Sequence, residues 1–219
     1  MAAGCGSLSQ LSQIGAGTHS GPAANFTVTA PVTTLVIGGG ASSITVIGSA
    51  RDTIFVSQLP AYTKTPPTMS HRVSGTTLTL SYGCKAQLVC GVAYNILVPR
   101  GIAVTVSTRA GAVTLTALSG TVTARTYAGL ITASDLRSPV AELTSDAGGI
   151  VATFSVAPAS VHASTNVGSI AITVPGGVAY DVNTHTYVGS STVTVEKNAA
   201  SPHAITANSD LGSITISPG

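Results

Sequence analysis

Five histidines (His19, His71, His162, His185 and His203), seven acids (Asp52, Asp135, Glu142, Asp146, Asp181, Glu196 and Asp210) and three cysteines are the residues from which catalysis or metal binding would have to be built. General acid–base chemistry needs such groups to converge. Their spacing gives little sign of it. There is no His-Glu-x-x-His pair, no Gly-x-Ser-x-Gly elbow and no phosphate loop. Gly38-Gly39-Gly40 lacks the lysine and following helix of a phosphate site and reads as a turn. Calcium-bound repeats need a regular acid in each turn, which Asp146 and Asp210 alone do not supply. The best-placed pair is Glu142 and His162, which fall in one column of the repeat described below. There they would stack on adjacent segments facing solvent, as an exposed polar pair in preference to an acid–base or metal pair. His185 shares an outward column with Ser164 and Asn208 and is read the same way. No catalytic, cofactor-binding or metal-binding residue is assigned, and no cofactor is expected.

The cysteines suggest an address more than a reaction. Cys84 and Cys90 lie six apart with no histidine or further cysteine close by in sequence, so a zinc site is poor in ligands. A disulfide closing this short loop fits an oxidising compartment; two free buried thiols are the alternative. Cys5 stands in Ala2-Ala3-Gly4-Cys5-Gly6-Ser7. Small residues before a cysteine and a polar tether after it resemble the end of a bacterial lipoprotein signal, which would make Cys5 a lipidation site. Asn25-Phe26-Thr27 matches a glycosylation sequon, a weak three-residue signal.

The elements that would carry these residues are set by a repeat. Aligned on Gly111, Gly129, Gly148, Gly168, Gly189 and Gly212, the second half shows spacings of 18, 19, 20, 21 and 23 residues. Three residues before each glycine stands a hydroxyl: Thr108, Thr126, Ser145, Thr165, Thr186 and Ser209. Apolar residues recur seven and five before the glycine and two and four after it, as in Val104, Val106, Val113 and Leu115. Each unit reads as strand, turn, strand. The glycine supplies a positive φ at the corner and the hydroxyl bonds the turn backbone. One unit has too little apolar area to fold alone, whereas stacked units bury a shared interior. We therefore expect an all-β protein, a parallel β-solenoid or β-roll of ~18–23-residue coils; an antiparallel sandwich is the competing architecture. The column two before the glycine (Arg109, Tyr127, Asp146, Asn166, Tyr187 and Asp210) has no common chemistry and reads as solvated turn tips. Thr-x-Thr pairs such as Thr77/Thr79, Thr114/Thr116 and Thr192/Thr194 fall into different columns, so no two-column ladder of the ice-binding kind is expected.

Composition agrees with this reading. The chain has 219 residues, 7% charged, 4% aromatic and without Trp, against roughly 25% charged in an ordinary domain. A net charge of +2 excludes a polybasic nucleic-acid surface, so no nucleic-acid partner is expected. No apolar run reaches membrane-spanning length, leaving a lipid at Cys5 as the expected membrane contact. Residues 1–24 read as a flexible tether, 25–99 as an irregular β part that caps the solenoid at its amino end, and 100–219 as the regular repeats, with Pro99-Arg100-Gly101 as the hinge.

Three segments then carry a resemblance: Gly39-Gly40-Ala41-Ser42-Ser43-Ile44-Thr45-Val46, the run from Thr68 to Leu80, and Cys90-Gly91-Val92-Ala93-Tyr94-Asn95-Ile96-Leu97-Val98-Pro99-Arg100-Gly101, followed by the Ser/Thr-x-x-Gly units. From about Ala30 to the end, the chain resembles a bacterial adhesin family, a domain of unknown function built from β-strand repeats. Its members are commonly exported or membrane-tethered. The resemblance implies a non-enzymatic cell-surface or extracellular structural module, lipid-anchored to the envelope, with an unknown surface partner. Two alternatives are a filament subunit that stacks end to end through an open end at Ile214–Gly219 and, less favoured, a β-helix carbohydrate-active enzyme.

Overall fold

The computed structural model describes residues 18–219; Cys5 and most of the stretch read as a tether lie outside the described residues. The amino-terminal part contains β1 (His19–Ser20), β2 (Ala24–Val28), β3 (Thr34–Ala41), β4 (Ile44–Ser49), β5 (Ile54–Tyr62), β6 (Thr68–Ser74), β7 (Thr77–Gly83) and β8 (Cys90–Pro99). The repeats contain β9 (Ala103–Ala110), β10 (Val113–Thr116), β11 (Val122–Ala128), β12 (Ile131–Leu136), β13 (Val140–Ala147), β14 (Ile150–Phe154), β15 (Ser160–Val167) and β16 (Ile170–Val174). They continue with β17 (Asp181–Val188), β18 (Ser191–Val193), β19 (Ala204–Leu211) and β20 (Ile214–Pro218). No helix occurs among the described residues.

Each coil contributes one strand to each of two parallel stacks. In the first stack Val104, Val122, Ala141 and Val161 are successive register partners. In the second, Val113, Ile131, Ile150 and Ile170 are. The side chains alternate with the strand period, so these residues point into a core of Val, Ile, Leu and Ala that is almost fully buried. The chain is thus the parallel β-solenoid that its periodicity predicts.

The turn column works differently from the sequence expectation. The hydroxyl points inward and reaches the neighbouring coil, and Thr108 Oγ1 reaches the Ala110 carbonyl of its own turn as well, at 3.3 Å. Ser145 Oγ donates to the Gly129 carbonyl at 3.0 Å, Thr165 Oγ1 to Gly148 at 2.8 Å, and Ser209 Oγ to Gly168 at 2.9 Å. Gly129, at φ 157°, lies against the Gly111 carbonyl so closely that a Cβ there would overlap it. The glycines permit this approach and the hydroxyls satisfy the carbonyls exposed by it.

Three further expectations are corrected. The coils do not stack in chain order at the carboxyl end. β19 sits between β15 and β17, and β20 between β16 and β18. The reason lies in the side chains: β19 and β20 bring Ile205, Ala207, Ile214 and Ile216, all buried, whereas β17 brings only Val182, Thr184 and Thr186 to its inward positions. The more polar coil takes the end, where one side lacks a neighbour. Ile214–Gly219 is therefore an inner coil, not the open end proposed for filament growth. Parallel stacking also gives way at the amino end, where β5 pairs antiparallel with β8, β2 and β1, and β6 with β7. Lastly, Gly38-Gly39-Gly40 lies within β3 and is not a turn. A Cβ on Gly39 would meet the Tyr82 ring at 2.8 Å, and Tyr82 Oη donates to the Ala41 carbonyl at 2.9 Å.

Candidate functional surface

The outward positions of the two stacks differ in chemistry although the same backbone generates both. On the first stack they include Arg125, Glu142, His162 and His185. Glu142 and His162 are direct register partners and both are exposed, as the repeat places them. Asn208 stands between Ser164 and His185, so these three share a column in an order set by the exchanged coils. Among the described residues the ion pair is Arg125 Nη2–Asp146 Oδ1 at 3.8 Å, a surface contact of little energetic weight. No group of three or more His, Cys, Asp or Glu comes together among the described residues.

The second stack is hydroxyl-rich and carries one charged residue, the exposed Asp135 of β12. One outward column runs Thr45, Thr114, Thr132, Val151, Ala171, Thr215 and Thr192 in stacking order. A second, two residues further along each strand, contains Thr116 paired with Ser134, then Thr153, Thr173 and Ser217. The hydroxyls of Thr116 and Ser134 lie 3.4 Å apart. A bulge between Ala133 and Leu136 interrupts the second column, where the Asp135 N–H donates to Thr153 Oγ1 at 3.1 Å. Thr77/Thr79 does fall elsewhere, on β7 beside β3, but the expectation that no two-column pattern forms is corrected. Thr114/Thr116 and Thr192/Thr194 belong to the same pair of columns, filled between them by Ser, Val and Ala at equivalent places. Counting only Thr-x-Thr matches conceals the pattern; counting short β-branched or hydroxyl residues three and five after each glycine reveals it.

The amino end has a different character. Cys84 and Cys90 are joined by a disulfide, with Cα atoms 6.0 Å apart. Gln87 Oε1 accepts from the Lys64 N–H at 2.8 Å, and its Nε2 donates to the Thr65 carbonyl at 2.8 Å, anchoring the loop. Beside it lies a cleft of about 710 Å³ bordered by Leu59, Pro60, Leu88 and Val92. Leu88 is 95% exposed. Beneath, Tyr94 faces Gln58 across the β5–β8 pairing, and both are buried. Burial pushes the Tyr94 phenol up to about 12. Neither Tyr94 Oη nor Gln58 Nε2 finds a hydrogen-bond partner. At the other end Tyr180 is buried, its Oη donating to the Pro175 carbonyl at 3.0 Å. Neither tyrosine site was legible from sequence, because nothing in the local pattern marks a capping residue. No helix among the described residues is long and apolar enough to cross a membrane.

No family model matches the chain, and no curated protein does. Solved structures resemble it. A "putative cell adhesion protein" from Clostridium sporogenes superposes with a TM-score of 0.56 at 14% identity, covering 90% of this chain and 99% of that one. A "putative adhesin" from Bacteroides fragilis gives 0.41 at 13% identity over 90% and 97% of the two chains. The fold is thus shared with the Clostridium sporogenes protein over 90% of this chain and 99% of that one.

Proposed function

We propose that the protein is a non-enzymatic, adhesin-like module of the bacterial cell surface that offers a rigid, weakly charged face to an envelope or extracellular partner. The observation that carries this reading is the continuous second stack. Its outward columns present mainly hydroxyls and methyls, and from β4 to β20 each strand is held by pairing on both sides. Such a surface is preorganised, so binding loses little conformational freedom. The fold shared with the Clostridium protein supports the reading at the level of architecture. Cys5 is proposed as a lipid anchor and the Cys84–Cys90 disulfide as a fit to an oxidising compartment.

The test is to express the protein in a bacterial host behind an export signal and lipidation site and treat intact cells with protease. Loss of the protein from intact cells, together with binding of the purified chain to envelope fractions, is expected. Protection in intact cells, or turnover of a polysaccharide by the purified protein, would contradict the proposal. A filament reading retains one supporting observation. β17 and β18 each pair on one side only, leaving a free strand edge at the carboxyl end. Light scattering of concentrated protein separates this reading from that of a monomeric module.

A further inference from the structure

We infer that the outward face of the second stack is a binding surface for an ordered water lattice, namely the surface of ice. The inference goes beyond the adhesin-like reading and stands or falls independently of it. Three observations carry it.

The first is two-dimensional periodicity. The register pairs Thr45, Thr114 and Thr132 directly, and Thr173 with Ser217 in the second column. Adjacent strands lie about 4.8 Å apart, and residues two apart on one strand lie about 6.6 Å apart. On either side of the Ala133/Leu136 bulge the short side chains therefore sit on a grid whose two spacings are close to repeat distances in the oxygen lattice of ice. Peptides and soluble glycans do not repeat in two dimensions, whereas a crystal face does.

The second is chemistry. The positions three and five after the repeat glycines carry only Thr, Ser, Val and Ala, so each offers a short hydroxyl or methyl and none carries a charge. A charged side chain binds disordered water strongly; the one on this face, Asp135, stands at the bulge beside Thr153 and divides the grid into two patches. The opposite stack is the internal control: it has the same backbone and register but carries Arg125, Glu142 and His162. Strand propensity places Thr105, Thr123, Thr144 and Thr206 on the opposite face too, but there they share their columns with charged and bulky side chains. No aromatic side chain stands in the two columns between Thr45 and Thr192, so the stacking platform on which a sugar ring would rest is missing there.

The third is rigidity. Thr and Val have restricted χ1 in strands, and the glycine column locks successive coils at a fixed rise. Each contact is weak, but many are made at once without ordering the protein first.

The experiment uses the full chain. Ice is grown slowly in a dilute solution, and the protein is assayed in ice and in residual liquid; grain growth in annealed ice is followed in parallel. Two double variants are compared: Thr132→Lys/Thr215→Lys on the proposed face and Thr123→Lys/Thr206→Lys on the opposite one. The unsubstituted chain and the opposite-face variant are expected to enter the ice and restrain grain growth, and the first variant to be rejected into the liquid. Thr215→Lys alone, at an exposed position, is expected to reduce incorporation and guards against misfolding of the double variant. Exclusion of the unsubstituted chain from ice overturns the inference, as does equal behaviour of the two double variants.

Discussion

Gly129 shows what a single position contributes. Its Cα rests on the Gly111 carbonyl, and its φ of 157° is one that a side chain tolerates poorly. Gly129→Ala must push two coils apart, and we expect a loss of about 2–3 kcal/mol in urea unfolding. A loss below about 0.5 kcal/mol, the range of ordinary surface changes, would show that the glycine column does not set the coil spacing. Tyr94 makes a second prediction at this scale. Its phenol ionises near 10.0 when unfolded and only near 12 when folded. The folded state therefore favours the neutral form, and the associated stability is complete below pH 10 and lost as pH rises towards 12. Tyr94→Phe should flatten this part of the alkaline unfolding curve, measured by circular dichroism. An unchanged slope would place Tyr94 in contact with solvent. The repeat columns were legible in the sequence because glycine and hydroxyl recur at fixed offsets. The inter-coil role of the hydroxyls was not, since local sequence cannot distinguish a bond within a turn from one to the turn beneath.

At the scale of elements, the exchanged order of the last two coils is the main departure from the sequence reading. A repeat alignment states which residues are equivalent but not which coils touch. Apolar content decides the latter: β19 and β20 have four buried aliphatic residues, and β17 has none. We expect Ile205→Ala to cost about 2–5 kcal/mol, as buried truncations do. Val182→Ala, at the equivalent place on the half-covered end coil, should cost no more than about 1 kcal/mol. Comparable losses in thermal or urea unfolding would favour stacking in chain order. The amino end was the least legible part. Its antiparallel strands obey no repeat, and β3 and β4 pair with coils from later in the chain, so neighbours could not be inferred from spacing.

At the scale of the whole molecule, one winding rule produces two faces with different chemistry, one filled mainly by short hydroxyl and methyl side chains and one bearing Arg125, Glu142 and His162. Composition already implied a weakly charged surface. Only the register shows that one side carries short hydroxyl or methyl side chains almost throughout, because the two columns fill with Ser, Val and Ala as well as Thr. The ends differ too: a disulfide-closed loop and a cleft at one, a polar coil and Tyr180 at the other. All of this depends on which coils lie side by side. Cysteine pairs can report that directly, since in-register strands about 4.8 Å apart fall within the Cα range that a disulfide spans. With Cys5 replaced by serine, the pairs Ser164→Cys/Asn208→Cys and Asn208→Cys/His185→Cys should cross-link on mild oxidation, and Ser164→Cys/His185→Cys should not. Efficient linking of residues 164 and 185, with none between 164 and 208, would contradict the stacking order and the surface built on it.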